Sequence, residues 1–278
     1  MAGAEVMQLG SRTYRVDEHY HETGKTNNLV SRVRDEQEFA RFIIKRSRPF
    51  QNIIESYYVF QDLFFFGTRK LSSVRERYRR EAEILQASEG LNVPLLTEYY
   101  DDEPAIVRRY IPGRAFRQLE SLEDKKLTLE GALQLFQEIH ERGQVIGDGH
   151  PKNALLGGDR KVYWTGFAAI YDYNPNDKFT VERAQAIDIL KLIHLAYQAI
   201  SDKPENDDTP VEEYEEERYQ IVEKLITSAS KHPNREVRWN IKELLRDQEV
   251  WQCCWYATRL PKDGVLKREI INGLGPPY

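Results

Sequence analysis

The hydrophobic pattern of this chain changes along its length, and the order of the two patterns constrains the fold more than any other feature. Residues 13–20 and 28–34 are rich in Val, Tyr and Thr and flank a turn-like segment, while residues 39–45 form a third β-branched and aromatic run. Helical spacing of apolar residues dominates later, over 127–142 and 181–200. Strands followed by helices predict an α+β protein with two unequal lobes.

Shorter elements complete this pattern. We expect a helix over 72–87, a short buried strand over 105–107, and two short strands over 153–156 and 161–167. The acidic segment 201–218 is either a solvated linker or the start of a helix. The rest of the chain has a helical pattern and ends in a tail rich in Gly and Pro.

Composition excludes several classes of protein. The 278 residues include 40 basic and 45 acidic side chains, and the net charge of −5 argues against general nucleic-acid binding. The two cysteines, the adjacent Cys253 and Cys254, exclude a secreted disulfide framework, and with His19 and His21 they lack zinc-site spacing. The sequence has no evident signal peptide or apolar segment of membrane-spanning length, so we expect a cytoplasmic protein.

Candidate chemistry is concentrated in residues 146–153, Ile-Gly-Asp-Gly-His-Pro-Lys-Asn, between a predicted helix and a predicted hairpin. Asp148 and Asn153 lie on this loop, where their side chains can face one small volume. The aspartate could accept or orient a hydroxyl proton, and the asparagine oxygen could hold a hard cation such as Mg²⁺. The alternative is an ordinary turn in which both side chains bond their own backbone.

This segment resembles the catalytic loop of the protein-kinase-like superfamily, especially its branch of small-molecule, lipopolysaccharide core (heptose) and atypical kinases. The resemblance makes Asp148 the catalytic aspartate and Asn153 the metal-binding asparagine. Lys45 resembles the strand lysine that contacts nucleotide phosphates, and Glu81 the helix glutamate that pairs with that lysine. The resemblance therefore implies ATP and Mg²⁺ as cofactors.

Two further segments agree with the resemblance. Residues 106–113 (IVRRYIPG) resemble the hinge between kinase lobes, where backbone groups of Arg109 and Ile111 would contact adenine. Asp188 resembles the helix aspartate that braces the catalytic loop from behind.

The resemblance implies a bilobal fold. A small antiparallel β-rich N-lobe with one long helix would occupy residues 1–110. A mainly helical C-lobe, which includes the catalytic-loop hairpin, would occupy residues 111–278.

The sequence departs from the kinase pattern at the metal site. Aligning residues 161–168 (KVYWTGFA) with the Asp-Phe-Gly motif puts Gly166 where the metal-binding aspartate belongs, and glycine offers no carboxylate. Asp172 could replace that aspartate in a different register. Arg108 would lie beside the adenine pocket, where its guanidinium must find a phosphate or an acid unless the pocket is altered.

The segment between Lys45 and Glu81 is longer than a minimal kinase lobe needs, and it combines aromatic with basic residues. It could form a surface for an anionic partner, such as a lipopolysaccharide core or a lipid headgroup, at the periphery of a membrane. The alternative is a set of core aromatics followed by a solvated helix face. The aromatic residues are Tyr57, Tyr58, Phe60, Phe64, Phe65 and Phe66, and the basic residues are Arg69, Lys70, Arg75, Arg77, Arg79 and Arg80.

Two functional hypotheses follow. The first is an ATP-dependent phosphotransferase, in which Asp148 orients a hydroxyl acceptor on a sugar, a lipopolysaccharide-like molecule or a protein. The second is a pseudokinase, a nucleotide-binding or scaffolding module that has lost efficient transfer because Gly166 replaces the metal aspartate.

Overall fold

The computed structural model describes residues 5–20, 28–35, 40–47, 73–167, 181–200 and 210–246. Its strands are β1 (Val6–Leu9), β2 (Arg12–Tyr20), β3 (Asn28–Asp35), β4 (Arg41–Ser47), β5 (Leu96–Tyr100), β6 (Ala105–Arg109), β7 (Gly113–Ala115), β8 (Ala154–Gly157) and β9 (Val162–Trp164). Its α-helices are α1 (Val74–Ala87), α2 (Leu122–Glu141), α3 (Val181–Ala199), α4 (Val211–Ser230) and α5 (Arg235–Arg246). Short 3-10 turns cover Phe116–Gln118 and Pro151–Asn153.

The N-terminal part of the chain forms a curled six-stranded sheet with the order β1-β2-β3-β4-β6-β5, in which all neighbouring strands are antiparallel. A second, three-stranded sheet has the order β7-β8-β9. The C-terminal part of the chain is helical. The prediction of an α+β protein with a β-rich N-terminal part and a mainly helical C-terminal part is confirmed at this level.

Opposite faces of the large sheet contribute to different hydrophobic clusters. Ala105 and Val107 of β6 join the cluster that contains Tyr14 and Phe42, whereas Ile106 belongs to the larger cluster built mainly from helices. This division follows from strand geometry, because successive side chains point to opposite faces. Lys45 lies directly opposite Ile106, so the register puts Lys45 on the face that α1 covers.

Helix α1 begins at a capping box. The Ser73 hydroxyl accepts from the Glu76 backbone N–H at 3.2 Å, and the Glu76 carboxylate accepts from the Ser73 N–H at 2.7 Å. These bonds satisfy N–H groups that a helix leaves unpaired at its first turn. The buried side of α1 carries Tyr78, Ala82 and Leu85 together with Glu81. A charged residue therefore enters the interior at the position that the apolar spacing would give to a hydrophobic one.

Most predicted elements are confirmed within a few residues, and α2 shows the largest difference in a boundary. The predicted helix over 127–142 in fact begins at Leu122, because Ser121 caps it by accepting the Asp124 N–H at 3.1 Å. Its first turn, residues 122–125, contains a single apolar residue, Leu122, and therefore no apolar repeat. The predicted strand over 161–167 is shorter and ends at Trp164. The acidic segment becomes helical at Val211, where α4 begins.

Four of the five described helices form the interior of the C-terminal part. Buried side chains of α2, α3, α4 and α5 share one cluster with β8 and β9, and Trp164 packs edge-on against Phe136 at a centroid distance of 4.6 Å. Among the residues that the structure describes, no helix has the length and apolar character needed to cross a bilayer.

Candidate functional site

Lys45 and Glu81 form an ion pair between β4 and α1. The Lys45 side chain is 13% exposed and that of Glu81 only 4%, so the carboxylate is the more deeply buried partner. The Lys45 ammonium also lies 5.5 Å from the centre of the Tyr78 ring, within cation–π range. Burial raises the pKa of the Tyr78 hydroxyl, and the nearby Glu81 charge raises it further.

Arg108 approaches the same carboxylate from β6. Its guanidinium Nη1 lies 3.8 Å from Glu81 Oε1 and donates a hydrogen bond to the backbone carbonyl of Thr165. Burial lowers the pKa of Arg108, and the Glu81 charge opposes that effect. The sequence indicates that a buried Arg108 guanidinium needs a phosphate or an acid as its partner, and Glu81 is that acid. Glu81 consequently faces two cations in a largely water-excluded space.

The loop that carries Asp148 is anchored from behind by Asp188 of α3. One carboxylate oxygen of Asp188 accepts the Ile146 N–H at 2.7 Å, and the other accepts the Gly147 N–H at 2.8 Å. Gly147 has φ of 77°, a left-handed conformation that glycine adopts without a steric cost. Asp188 is fully buried, and these bonds satisfy a charge that would otherwise be costly there. The bracing contact that the resemblance implies is therefore present.

Gly149 brings the loop into close contact with α3. A Cβ atom built on Gly149 would lie 2.7 Å from the Asp188 carbonyl oxygen and 3.1 Å from Lys191 Cβ. A larger residue would therefore separate the loop from the helix.

Asn153 ends the 3-10 turn that follows Asp148. Its side-chain Nδ2 donates to the Asp148 carbonyl at 3.2 Å. Its own carbonyl accepts the Thr165 N–H at 2.9 Å and the Thr165 hydroxyl at 3.0 Å. The Asp148 carboxylate is half-buried and makes no hydrogen bond or ion pair within the described residues. The loop is thus fixed to Thr165, directly after β9, while the Asp148 carboxylate has no partner in the part of the chain that the structure describes.

Gly166 lies directly beside the Asn153 side chain. A Cβ atom built on Gly166 would be 2.2 Å from Asn153 Cγ and 2.5 Å from Oδ1, so the amide fills the space that a side chain at 166 would need. Asn153 offers an amide oxygen at this point, and Gly166 offers no carboxylate. The described residues therefore do not fit a divalent cation bound as kinases bind it, since that arrangement requires a carboxylate at position 166. Among the described residues, no group of three or more His, Cys, Asp or Glu side chains could hold a metal ion.

Arg109 and Ile111 lie where the chain passes between the two sheets. Arg109 is the last residue of β6, and its N–H donates to the Leu95 carbonyl at 2.9 Å. Ile111 is half-buried and belongs to neither β6 nor β7. Contact between their backbone groups and adenine stays a prediction.

Some of the basic residues of α1 form ion pairs with acidic residues. Arg75 lies 3.3 Å from Asp101 and Arg79 lies 3.9 Å from Glu83, while burial lowers the pKa of Arg77. Binding of an anionic partner to this segment stays a prediction. The ion pairs reduce the net positive charge that α1 can present to such a partner. The alternative metal ligand Asp172, the aromatic residues 57–66, Arg69, Lys70 and both cysteines lie outside the described residues.

The structure thus connects two groups of predicted residues. Lys45 and Glu81 are in direct contact, and so are the positions of Asn153 and Gly166. Arg108 joins them, because it faces Glu81 and also bonds to Thr165, the residue before Gly166.

Sequence reasoning missed two histidines behind the loop. His140 Nε2 lies 3.3 Å from Asp188 Oδ2, and His140 Nδ1 lies 3.3 Å from His232 Nε2. His140 lies in the last turn of a predicted amphipathic helix. Its position next to Ile139, near the apolar side of that helix, was the one signal in the sequence that it would be buried. His232 follows α4 and is 92 positions away along the chain, so no local pattern could have joined the two.

The sequence matches no protein-family model, and no curated protein matches it significantly.

Proposed function

We propose that the protein is a kinase-like nucleotide-binding module with an incomplete metal site, a pseudokinase whose Lys45 contacts the phosphates. The observation that carries the proposal is the ion pair between Lys45 and Glu81, linked through Arg108 to a strand end where Gly166 supplies no carboxylate.

The charges around Glu81 support anion binding. Lys45 and Arg108 surround one carboxylate, which leaves a local excess of one positive charge. Lys45 is the more exposed partner, so an incoming phosphate can reach its ammonium while Glu81 stays buried. An ion pair that holds a flexible lysine in place also reduces the conformational entropy lost when phosphate binds.

The contact between Asn153 and Gly166 supports the absence of efficient transfer. Phosphoryl transfer in kinases depends on metal ions that neutralise charge between the β- and γ-phosphates. Without a carboxylate at position 166, the described residues leave that charge to Lys45 and its neighbours.

Titration of a fluorescent ATP analogue in EDTA tests the proposal. We expect the wild type to bind and Lys45→Met to bind at least about tenfold more weakly, since a charge-assisted phosphate contact contributes about 1.5–3 kcal/mol. The matched control is Lys224→Met, because Lys224 pairs with Glu130 on the helical surface, 2.8 Å away. Equal affinities of the wild type and Lys45→Met would overturn the proposal.

A second candidate function, phosphoryl transfer to a hydroxyl acceptor, is favoured by the Asp148 carboxylate, which lies on an anchored loop and has no partner among the described residues. Mg²⁺- or Mn²⁺-dependent release of inorganic phosphate from ATP measures it without a known acceptor. Turnover that is lost in Asp148→Asn would establish this function and exclude a pseudokinase. No turnover in the wild type would exclude it.

A further inference from the structure

A continuous series of hydrogen bonds leads from the turn after α4 to the loop that carries Asp148. The backbone N–H of Asn234 lies 3.2 Å from His232 Nδ1, and His232 Nε2 lies 3.3 Å from His140 Nδ1. His140 Nε2 lies 3.3 Å from Asp188 Oδ2, the oxygen that accepts the Ile146 N–H. Asp188, His140 and His232 are all buried. We refer to His232, His140 and Asp188 as the histidine relay.

The two ends of the relay fix every proton within it. The Asn234 N–H can only donate, so His232 Nδ1 carries no proton, and its single proton is on Nε2. That proton is donated to His140 Nδ1, which must therefore be bare. Both oxygens of Asp188 accept backbone N–H groups, so Asp188 acts as the acceptor towards His140 as well, and the proton of His140 is on Nε2. Both rings are consequently neutral and protonated on Nε2.

The surroundings of His232 favour this neutral state. Burial is the largest cause that lowers the pKa of His232 to about 4, and the neighbouring His140 contributes to the same shift. Arg238 of α5 donates to the His232 carbonyl, and its positive charge also opposes protonation of the ring. Two acidic residues, Glu141 of α2 and Glu182 of α3, line the cavity of about 340 Å³ beside both histidines, and negative charge there acts against the effects of burial and Arg238. An extra proton on either ring would put two donors face to face and break one link.

From this geometry we infer that His232 is a positioning residue for the Asp148 loop. It fixes the tautomer of His140, and His140 in turn orients the Asp188 carboxylate that holds the N–H groups of Ile146 and Gly147. His232 touches neither nucleotide nor acceptor in this account and acts only through His140. Its relevance to nucleotide chemistry rests on the proposed function, whereas the relay itself does not.

The protonation pattern can be measured on the unmodified protein. A long-range ¹H–¹⁵N spectrum of the full chain labelled at its 6 histidines, recorded at about pH 7.5, reports which ring nitrogens carry protons. We expect His140 and His232 both to be neutral and protonated on Nε2, with assignments from single His→Gln variants. A proton on Nδ1 of either ring would overturn the inference.

The effect on the loop is tested by amide hydrogen exchange at Ile146 and Gly147. His232→Phe keeps an aromatic ring but removes the donor to His140, and we expect protection of both amides to fall by about tenfold. His232→Gln keeps an N–H donor, and we expect it to restore most of that protection. The matched control is His19→Phe, because His19 contacts Glu5 and Ser31 in the sheet, far along the chain from the loop.

Equal loss of protection in His232→Phe and His232→Gln would assign His232 a structural role only and overturn the inference. The nuclear magnetic resonance result does not depend on either variant folding. It also separates the two proposals: a chain that binds no nucleotide but has both Nε2 tautomers refutes the proposed function and leaves the relay intact.

Discussion

The side-chain amide of Asn153 occupies the space next to the α-carbon of Gly166, where any larger residue would need to put its Cβ atom. That Cβ atom would lie 2.2 Å from Asn153 Cγ, far inside van der Waals contact. The amide is held there by the bond from Nδ2 to the Asp148 carbonyl at 3.2 Å. The glycine is therefore part of the local packing, and the aspartate of kinases could enter only if Asn153 moved.

This contact predicts that Gly166→Ala destabilises the protein by about 1–3 kcal/mol, the usual cost of inserting a group into a filled space. Urea unfolding measures the change. In the double variant with Asn153→Ala, we expect the two effects to be coupled by about 1 kcal/mol or more, because the obstacle has been removed. Additive effects would contradict the packing argument. For the same reason, Gly166→Asp alone is not expected to create a metal site.

Glu81 and Lys45 are predicted to contribute unequally to stability. Glu81→Gln removes the carboxylate that faces Arg108 within the described residues, and we expect a loss of about 3–5 kcal/mol because a buried guanidinium loses its counter-charge. Lys45→Met leaves Arg108 to balance Glu81, and we expect a smaller loss by at least about 1 kcal/mol. Chemical denaturation of both variants checks this order.

A double variant provides the control for this prediction. Arg108→Met combined with Glu81→Gln removes both buried charges, and we expect it to be more stable than Glu81→Gln alone. If Glu81→Gln is no less stable than Lys45→Met, the view that Glu81 balances two cations is wrong.

The close approach of Gly149 to α3 predicts a sharp difference between two glycines. Gly149→Ala would put a methyl group 2.7 Å from the Asp188 carbonyl oxygen, so we expect a loss of about 1–3 kcal/mol. Gly158 is the matched control, because a Cβ atom there would meet nothing within 4 Å. Thermal unfolding of the two alanine variants measures the difference. Similar midpoints would indicate that the loop does not pack against α3 as described.

The lowered pKa of His232 predicts a specific pH dependence of the free energy of unfolding. Its pKa is about 4 in the folded protein against an ordinary value of 6.5, so above pH 6.5 its ring is neutral in both states. As the pH falls from 6.5 to 4, the unfolded chain binds a proton that the folded protein does not. The free energy of unfolding should therefore decrease by about 3 kcal/mol from this group.

The measurement compares the wild type with His232→Gln by urea unfolding at several pH values. The stability advantage of the wild type should be greatest above pH 6.5 and should shrink towards pH 4, because glutamine does not titrate in this range. A constant difference across this interval would show that His232 binds protons equally in both states.

Local patterns were sufficient to predict most elements of the fold. The runs that form β2, β3 and β4 and the helical spacing of α1 and α3 appear in the sequence, because each element exposes one periodic face to a core. The short strands β1, β5 and β7 were missed. Strands of three to five residues carry too few positions for a period to show. Of these three, β7 also pairs with a strand distant in sequence, whereas β1 and β5 pair with the next strand along the chain.

The candidate site likewise combines residues that the sequence indicated with contacts that it did not. Motif resemblance indicated Lys45, Glu81 and Asp188, and the structure gives each a contact that the resemblance implies. The bond from Arg108 to Thr165 spans 57 positions, and the pair of His140 and His232 spans 92. Contacts of that kind leave no local pattern, since both partners look like ordinary polar residues in their own segments.

The proposed function requires that Lys45 holds a nucleotide without the help of a divalent cation. The most direct measurement is the dissociation constant of ATP for the wild type by isothermal titration calorimetry, in EDTA and then in excess Mg²⁺. We predict two values that agree within about threefold, a difference below about 1 kcal/mol. Binding that is tighter by about tenfold or more in Mg²⁺, or no binding under either condition, would contradict the proposed function.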